Sequence, residues 1–255
     1  MNPVIELSDV NVTFSSGAFW AKRRFEAVKS MNLYVRAGET VGLVGESGSG
    51  KTTTGRLCLG LQSPTSGNVL FRGEAISPAG DQRSKPRLAA VLQHPRTSLN
   101  PRLTVGSSVA EPLVIAGLSQ QERVERVAHS LQRVGLQSDL AMRYPHELSG
   151  GQRQRASIAR ALIGSPEFIL FDEPVSALDA SVQAQILNLI LDLQSELQFA
   201  ALVISHDFAA TRYIANRLVV MRDGEIVDEA LASSLFKPGN HPYTRALQEA
   251  SGLLD

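Results

Sequence analysis

Apolar and polar positions change rhythm along this chain, and each change predicts a different element. Residues 4–14 alternate loosely between apolar and polar, as a strand with one face covered does; residues 25–35 repeat the pattern and stop at the turn Ala37-Gly38-Glu39. Thr40-Val41-Gly42-Leu43-Val44 is instead a short, continuous apolar run closed by glycine, the signature of a strand buried on both faces. A helix is expected from Lys51 to about Leu61, stopped by Ser63-Pro64-Thr65-Ser66-Gly67. Residues 68–72 and 88–93 read as further strands.

The middle of the chain turns helical. From Ser119 onward, Val124, Val127, Ala128, Leu131 and Val134 recur at helical spacing with charges between them; Gly135 closes that helix, and another begins near Ser149. Residues 95–164 therefore read as a helical insertion. After Pro166 the alternation of strand and helix returns: a strand over 168–171, a helix over 181–198, a strand over 201–205, and a hairpin of 218–221 with 225–228 across Arg222-Asp223-Gly224. The fold class is α/β, with a core of residues 1–94 and 165–255 around a helical subdomain at 95–164.

Composition acts mainly by exclusion. Twenty-five basic and twenty-five acidic side chains leave no formal net charge, so the basic excess of a nucleic-acid binder is missing. The apolar stretch at 186–197 is broken by Asn188, Asp192, Gln194 and Glu196, far short of the roughly 20 apolar residues that span a bilayer. The first residues carry neither the basic segment nor the apolar run of a signal peptide. A single cysteine, Cys58, allows no internal disulfide and no cysteine-built metal cluster, which fits a reducing, cytoplasmic setting.

Three segments carry chemistry. Gly45-Glu46-Ser47-Gly48-Ser49-Gly50-Lys51-Thr52, followed by Thr53, matches the phosphate-binding P-loop, with a strand before it and a helix after it. Its glycines let backbone N–H groups wrap a phosphate, and the helix start adds partial positive charge. Lys51 would neutralise the β- and γ-phosphates, and the Thr52 hydroxyl would ligate Mg²⁺. The plainer alternative is a flexible glycine loop.

The apolar run Phe168-Ile169-Leu170-Phe171 ends in Asp172-Glu173. At the carboxyl end of a parallel strand, Asp172 could hold Mg²⁺ through water and Glu173 could polarise an attacking water; an acidic strand-to-loop turn is the simpler reading. Leu148-Ser149-Gly150-Gly151-Gln152 places an N-cap serine beside two glycines, a second anion-binding helix start about a hundred residues beyond the first. One γ-phosphate does not need two such sites from one chain. The economical explanation is a dimer in which this segment covers the partner's nucleotide; taken alone, Ser-Gly is also an ordinary capped helix start.

Together these motifs, in this order, resemble the nucleotide-binding subunit of an ABC transporter, over almost the whole length. The resemblance implies a RecA-like P-loop NTPase core with an antiparallel β subdomain and an inserted helical subdomain. Gln93 resembles the glutamine that senses Mg²⁺ and water and links to the helical subdomain. Leu148 to Gln152 is similar to the family signature, and Ser176-Ala177-Leu178-Asp179 to the loop that crosses the dimer interface. His206, in Ser205-His206-Asp207, resembles the switch histidine that contacts the γ-phosphate. The family also places an aromatic residue upstream of the P-loop to stack on adenine. Phe19, Trp20 and Phe25 are the candidates here; Phe25 is preferred, with a core position opening the second strand as its competing role.

Finer marks resemble the oligopeptide, dipeptide and nickel importers: Pro95-Arg96-Thr97-Ser98-Leu99-Asn100-Pro101-Arg102, Tyr144-Pro145-His146-Glu147, and His241-Pro242-Tyr243-Thr244-Arg245-Ala246-Leu247. His94 departs from the acidic residue usual there, the chain stops soon after Leu247, and one cysteine argues against the iron–sulfur site of some relatives. The resemblance implies an ATPase with ATP and Mg²⁺, peripheral at the cytoplasmic face of the membrane. It would work with transmembrane permease subunits and a second ATPase subunit, identical or different, and indirectly with an extracytoplasmic solute-binding protein. Peptides lead among cargoes, with nickel, opines and other small solutes open. The alternatives are a soluble ABC-type ATPase of translation or DNA repair, a P-loop GTPase or small-molecule kinase, and a non-catalytic regulatory binder. The first usually carries tandem domains or a long coiled coil, the second needs an Asn-Lys-x-Asp guanine reader that is missing, and Glu173 argues against the third.

Overall fold

The computed structural model describes residues 2–16, 23–76, 87–92, 99–234 and 241–251. They fall into two units: Met1–Gly80 with Ala200–Asp255, and Asp81–Phe199.

In the first unit, β1 (Ile5–Ser16), β2 (Arg23–Val35), β4 (Ser66–Phe71) and β5 (Glu74–Ala75) form an antiparallel sheet in the order β2-β1-β4-β5. The loose alternation in β1 has a physical cause. Ile5 and Leu7 are buried, then the phase slips and Val10 and Val12 are buried instead; β2 slips likewise between Met31 and Val28. The slips sit at Asp9 and Ser30, both with positive φ. Their ladder-breaking N–H groups are taken up crosswise, Asp9 N donating to Asn32 Oδ1 (3.0 Å) and Ser30 N to Asn11 Oδ1 (2.8 Å).

The same unit contains β3 (Thr40–Val44), β8 (Ala200–Ser205), β9 (Arg217–Arg222) and β10 (Glu225–Leu231). β3 runs parallel to β8 on one side and β9 on the other, and β10 closes an antiparallel hairpin on β9. Every residue of β3 and β8 is buried, which is why both read as unbroken apolar runs. Helices α1 (Lys51–Cys58), α6 (Phe208–Ile214) and α7 (Pro242–Ala250) complete the unit. α1 is shorter than expected because Gly60 (φ 67°) ends it in a left-handed turn, Leu61 N donating back to Arg56 O at 2.9 Å.

In the second unit, β6 (Leu88–Val91) pairs in parallel with β7 (Phe168–Asp172), Val91 opposite Phe171. The helices are α2 (Val105–Ile115), α3 (Gln120–Arg133), α4 (Gly150–Leu162) and α5 (Ala180–Leu197), with 3₁₀ turns at Ser138–Met142 and Pro145–Glu147. α3 begins in a reciprocal Ser119–Glu122 capping box and buries Val127, Ser130 and Leu131. α2 is not marked by local pattern in the sequence, because Pro112 inside it obscures a helix that Thr104 caps. Among the described residues no helix is long and apolar enough to cross a membrane.

Candidate functional site

In the first unit the loop at 45–52 leaves β3 and enters α1. Its ends are fixed by contacts that leave no room for a side chain. A β-carbon at Gly45 would lie 2.1 Å from Met221 O, and one at Gly50 would lie 2.3 Å from Ala27 O. Gly50 is also the N-cap of α1 with φ 106°, a conformation that β-carbon sterics disfavour. The floor of the loop is tied to the β9–β10 turn, where Gly224 N donates to Ser49 O at 3.1 Å.

Lys51 folds back over this loop. Its Nζ donates to Gly45 O and Glu46 O, both at 2.7 Å, and lies 3.4 Å from Ser49 Oγ; the residue is only 7% exposed. A buried ammonium needs such oxygens, and here they hold a cation at the start of a helix whose N–H groups already favour an anion. Glu46, Ser47 and Gly48 line the open side, Ser49 is buried, Thr52 is exposed at the first turn of α1, and Thr53 is half-buried. Thr54 is a packing residue, its Oγ1 donating to Gly50 O at 3.1 Å.

Two further candidates lie in this unit. Val44 is paired with Ser205, so Gly45 and His206 leave the sheet side by side, and His206 is exposed there. Asp207 caps α6, accepting from Ala210 N at 2.9 Å. Phe25 is 59% exposed, so it does not open β2 as a core residue; it lies opposite Phe14, itself 41% exposed. Two residues on along β2, Ala27 touches the loop at Gly50, which brings this exposed aromatic pair toward the phosphate loop. Phe14 was missed in the sequence because nothing local marks it as the partner of Phe25. Phe19, Trp20 and Lys22 lie outside the described residues.

In the second unit, Asp172 ends β7 half-buried and Glu173 follows it, also half-buried, with φ 47°. A left-handed backbone at a non-glycine residue costs energy and concentrates at functional positions. Ser176 holds the bend, its N and Oγ both donating to Glu173 O at 3.4 and 3.3 Å. Gln93 follows Leu92 at the end of β6 but lies outside the described residues, as do His94 and residues 95–98. Thr52 in the first unit offers a hydroxyl and Asp172 in the second a carboxylate, each by itself a hard oxygen donor of the kind that suits Mg²⁺.

The signature segment starts α4. Ser149 Oγ accepts from Gln152 N (3.2 Å) while Gln152 Oε1 accepts from Ser149 N (2.9 Å), a reciprocal capping box. Arg153 braces the approach, donating to Leu148 O (2.5 Å) and Pro145 O (3.3 Å). The glycines answer to packing as well. A β-carbon at Gly150 would meet Leu178 Cδ2 at 3.3 Å, and one at Gly151 would meet Val182 Cγ1 at 2.7 Å. Asp179 caps α5, accepting from Val182 N (3.1 Å) and Ser181 Oγ (2.7 Å); these bonds, the Ser181 hydroxyl first, hold its carboxyl below the usual aspartate range.

A parallel strand running into a glycine loop, a folded-back lysine and a helix start defines a P-loop nucleotide-binding protein. The ABC transporter family pattern matches residues 28–176, and the chain belongs to that family. It is 42% identical over 261 residues to the oligopeptide transport ATP-binding protein OppF of Streptococcus pyogenes serotype M1, spanning 99% of this chain and 83% of OppF. The oligopeptide transport ATP-binding protein AmiF of Streptococcus pneumoniae serotype 4 is 42% identical over 258 residues, spanning 99% of this chain and 82% of AmiF. Among solved structures, the ATP-binding cassette MJ0796, dimeric in a post-hydrolysis state with ADP and Pi, superposes with a TM-score of 0.79. It is 31% identical, covering 89% of this chain and 98% of that one. The chain is thus an α/β ATP-binding cassette ATPase.

Proposed function

We infer that this chain hydrolyses ATP to energise uptake of peptides through a separate membrane permease. The observation that carries the chemistry is Lys51, held as a buried cation over the glycine loop at the start of α1. The peptide cargo is supported by likeness along nearly the full chain to proteins named for oligopeptide transport, which also disfavours a role outside transport.

Lys51 exchanges its main-chain oxygens for the β- and γ-phosphates, while N–H groups from Gly48 to Thr53 wrap them. Phe25 offers its exposed face to adenine. Thr52, Gln93 and Asp172 are the residues that would hold Mg²⁺, which when bound would neutralise charge on the phosphate oxygens. Glu173, set by its bend, accepts hydrogen bonding from the lytic water and orients it, and His206 contacts the γ-phosphate. Ser149, Gly150, Gly151 and Gln152 cover the nucleotide of a second ATPase subunit, identical or different, and Asp179 lies at that interface. Closure excludes water, and loss of the γ-phosphate reopens the pair. Residues 95–164 carry the motion to the permease, at the cytoplasmic face of the membrane. A solute-binding protein outside the membrane delivers the cargo.

The test is uptake of a labelled oligopeptide by cells in which this chain is the sole copy of its kind. Lys51→Ala should abolish uptake and ATP binding together. Uptake surviving at the wild-type rate would defeat the energising role, and loss of uptake of a different solute instead would defeat the peptide assignment.

A further inference from the structure

The His241-Pro242-Tyr243 segment has no part in the chemistry above, yet it reaches the phosphate loop. Tyr243 Oη accepts a hydrogen bond from Glu46 N at 3.0 Å, across 197 positions of sequence. We propose that Tyr243 is a positioning residue for ATP binding, its hydroxyl tethering the first peptide of the phosphate loop so that the loop is held ready for phosphate. This rests on reading residues 45–52 as that loop.

The Gly45–Glu46 peptide is gripped from both sides. Its carbonyl, Gly45 O, accepts from Lys51 Nζ at 2.7 Å inside the loop. Its N–H, on the opposite edge of the trans peptide, ends on Tyr243. Gly45 itself already packs on Met221 O, so the Tyr243 bond fixes the next joint of the same corner. Removing it leaves Glu46 N–H without that acceptor and lets the peptide carrying the Lys51 contact rotate.

Tyr243 is itself firmly placed. It is 8% exposed, packed with Val44, Phe208, Leu218 and Val220, and Leu247 one turn further along α7 lies against the same cluster. The start of α7 is pinned, His241 N donating to Asp228 Oδ2 (3.0 Å) and His241 Nδ1 accepting from Tyr243 N (3.2 Å). Pro242 suits the first helical position, where no N–H is needed. The Arg222 guanidinium sits 5.0 Å from the ring centre. Burial pushes the Tyr243 hydroxyl up from its ordinary value, so it remains a neutral acceptor at physiological pH.

A loop that samples other shapes binds ATP with an affinity reduced by its competent fraction, without a change in the chemical step. Tyr243→Phe keeps the ring and removes only the acceptor. In the full chain it should raise the Kd for MgATP roughly threefold to tenfold. Turnover at saturating ATP should stay within about twofold of wild type. The nucleotide-free melting temperature should hold, and the Glu46 amide, protected in the wild type, should exchange faster in the variant. Unchanged affinity overturns the proposal, as does lost affinity with Glu46 protection intact. Rapid Glu46 exchange in the nucleotide-free wild type overturns it without any variant. If the wild-type chain bound no ATP, the nucleotide reading would fail, while Glu46 exchange would still decide the tether.

Discussion

Gly151 packs against Val182 so closely that a β-carbon at Gly151 would stand 2.7 Å from Val182 Cγ1. With Gly150 against Leu178, the start of α4 and the start of α5 form one interlocked block. Gly150 and Gly151 therefore answer to packing within the second unit. Valine is stiff at χ1 and cannot swing clear at low cost.

Gly151→Ala should destabilise the chain by about 1–3 kcal/mol, the range for overpacking a tight contact. Adding Val182→Ala should recover much of that loss, a coupling that urea unfolding of both single variants and the double variant would measure. Strict additivity would mean that the two residues do not bear on each other.

Arg217, at the start of β9, ties together β2, β10 and the turn before β3 in the first unit. It donates through Nε to Glu39 (2.8 Å), through Nη1 to Glu229 (2.7 Å) and through Nη2 to Tyr34 O (2.6 Å), and its guanidinium lies 4.1 Å from the Tyr34 ring centre. The Arg217 and Glu39 side chains are 7% and 14% exposed, so removing the cation strands a carboxylate in poor solvent contact. Arg217→Ala should cost about 3–5 kcal/mol in denaturant unfolding. Arg217→Lys should recover only part, because an ammonium cannot reproduce the planar fork. Full recovery by lysine would reduce the network to simple charge.

Cys58 lies fully buried on α1, and burial pushes its thiol up from 9.0 to about 12. The native chain should therefore resist iodoacetamide at mildly alkaline pH and react only as it unfolds. The sign of the linkage follows: the unfolded thiol ionises first, so stability falls as pH rises from 9.0 toward about 12. Labelling of native protein at the rate of a free thiol would contradict the burial.

What was legible in the sequence was what local pattern determines. β3, the phosphate loop and α1 announce themselves because a buried strand, a glycine run and a helix start are contiguous. Asp172 and Glu173 stand out because carboxylates at the end of an apolar strand are costly without a purpose. The hidden parts depend on distant segments. That Phe25 shares an exposed face with Phe14 is set by the β1–β2 register, the paired slips in β1 and β2 go with crosswise asparagine bonds, and the Tyr243–Glu46 contact comes from α7 packing on β3 and β9. Met221 and Ala27, whose carbonyls require Gly45 and Gly50, carry no signal of their own in the chain.

Glu173 decides the central claim that this chain hydrolyses ATP. Its left-handed φ of 47° sets a half-buried carboxylate at the end of β7. Single-turnover ATP hydrolysis by Glu173→Gln is the direct measurement. The account predicts ATP binding preserved, hydrolysis slowed roughly 10²–10⁴-fold, and an ATP-dependent dimer trapped in the variant. Hydrolysis at the wild-type rate would contradict it.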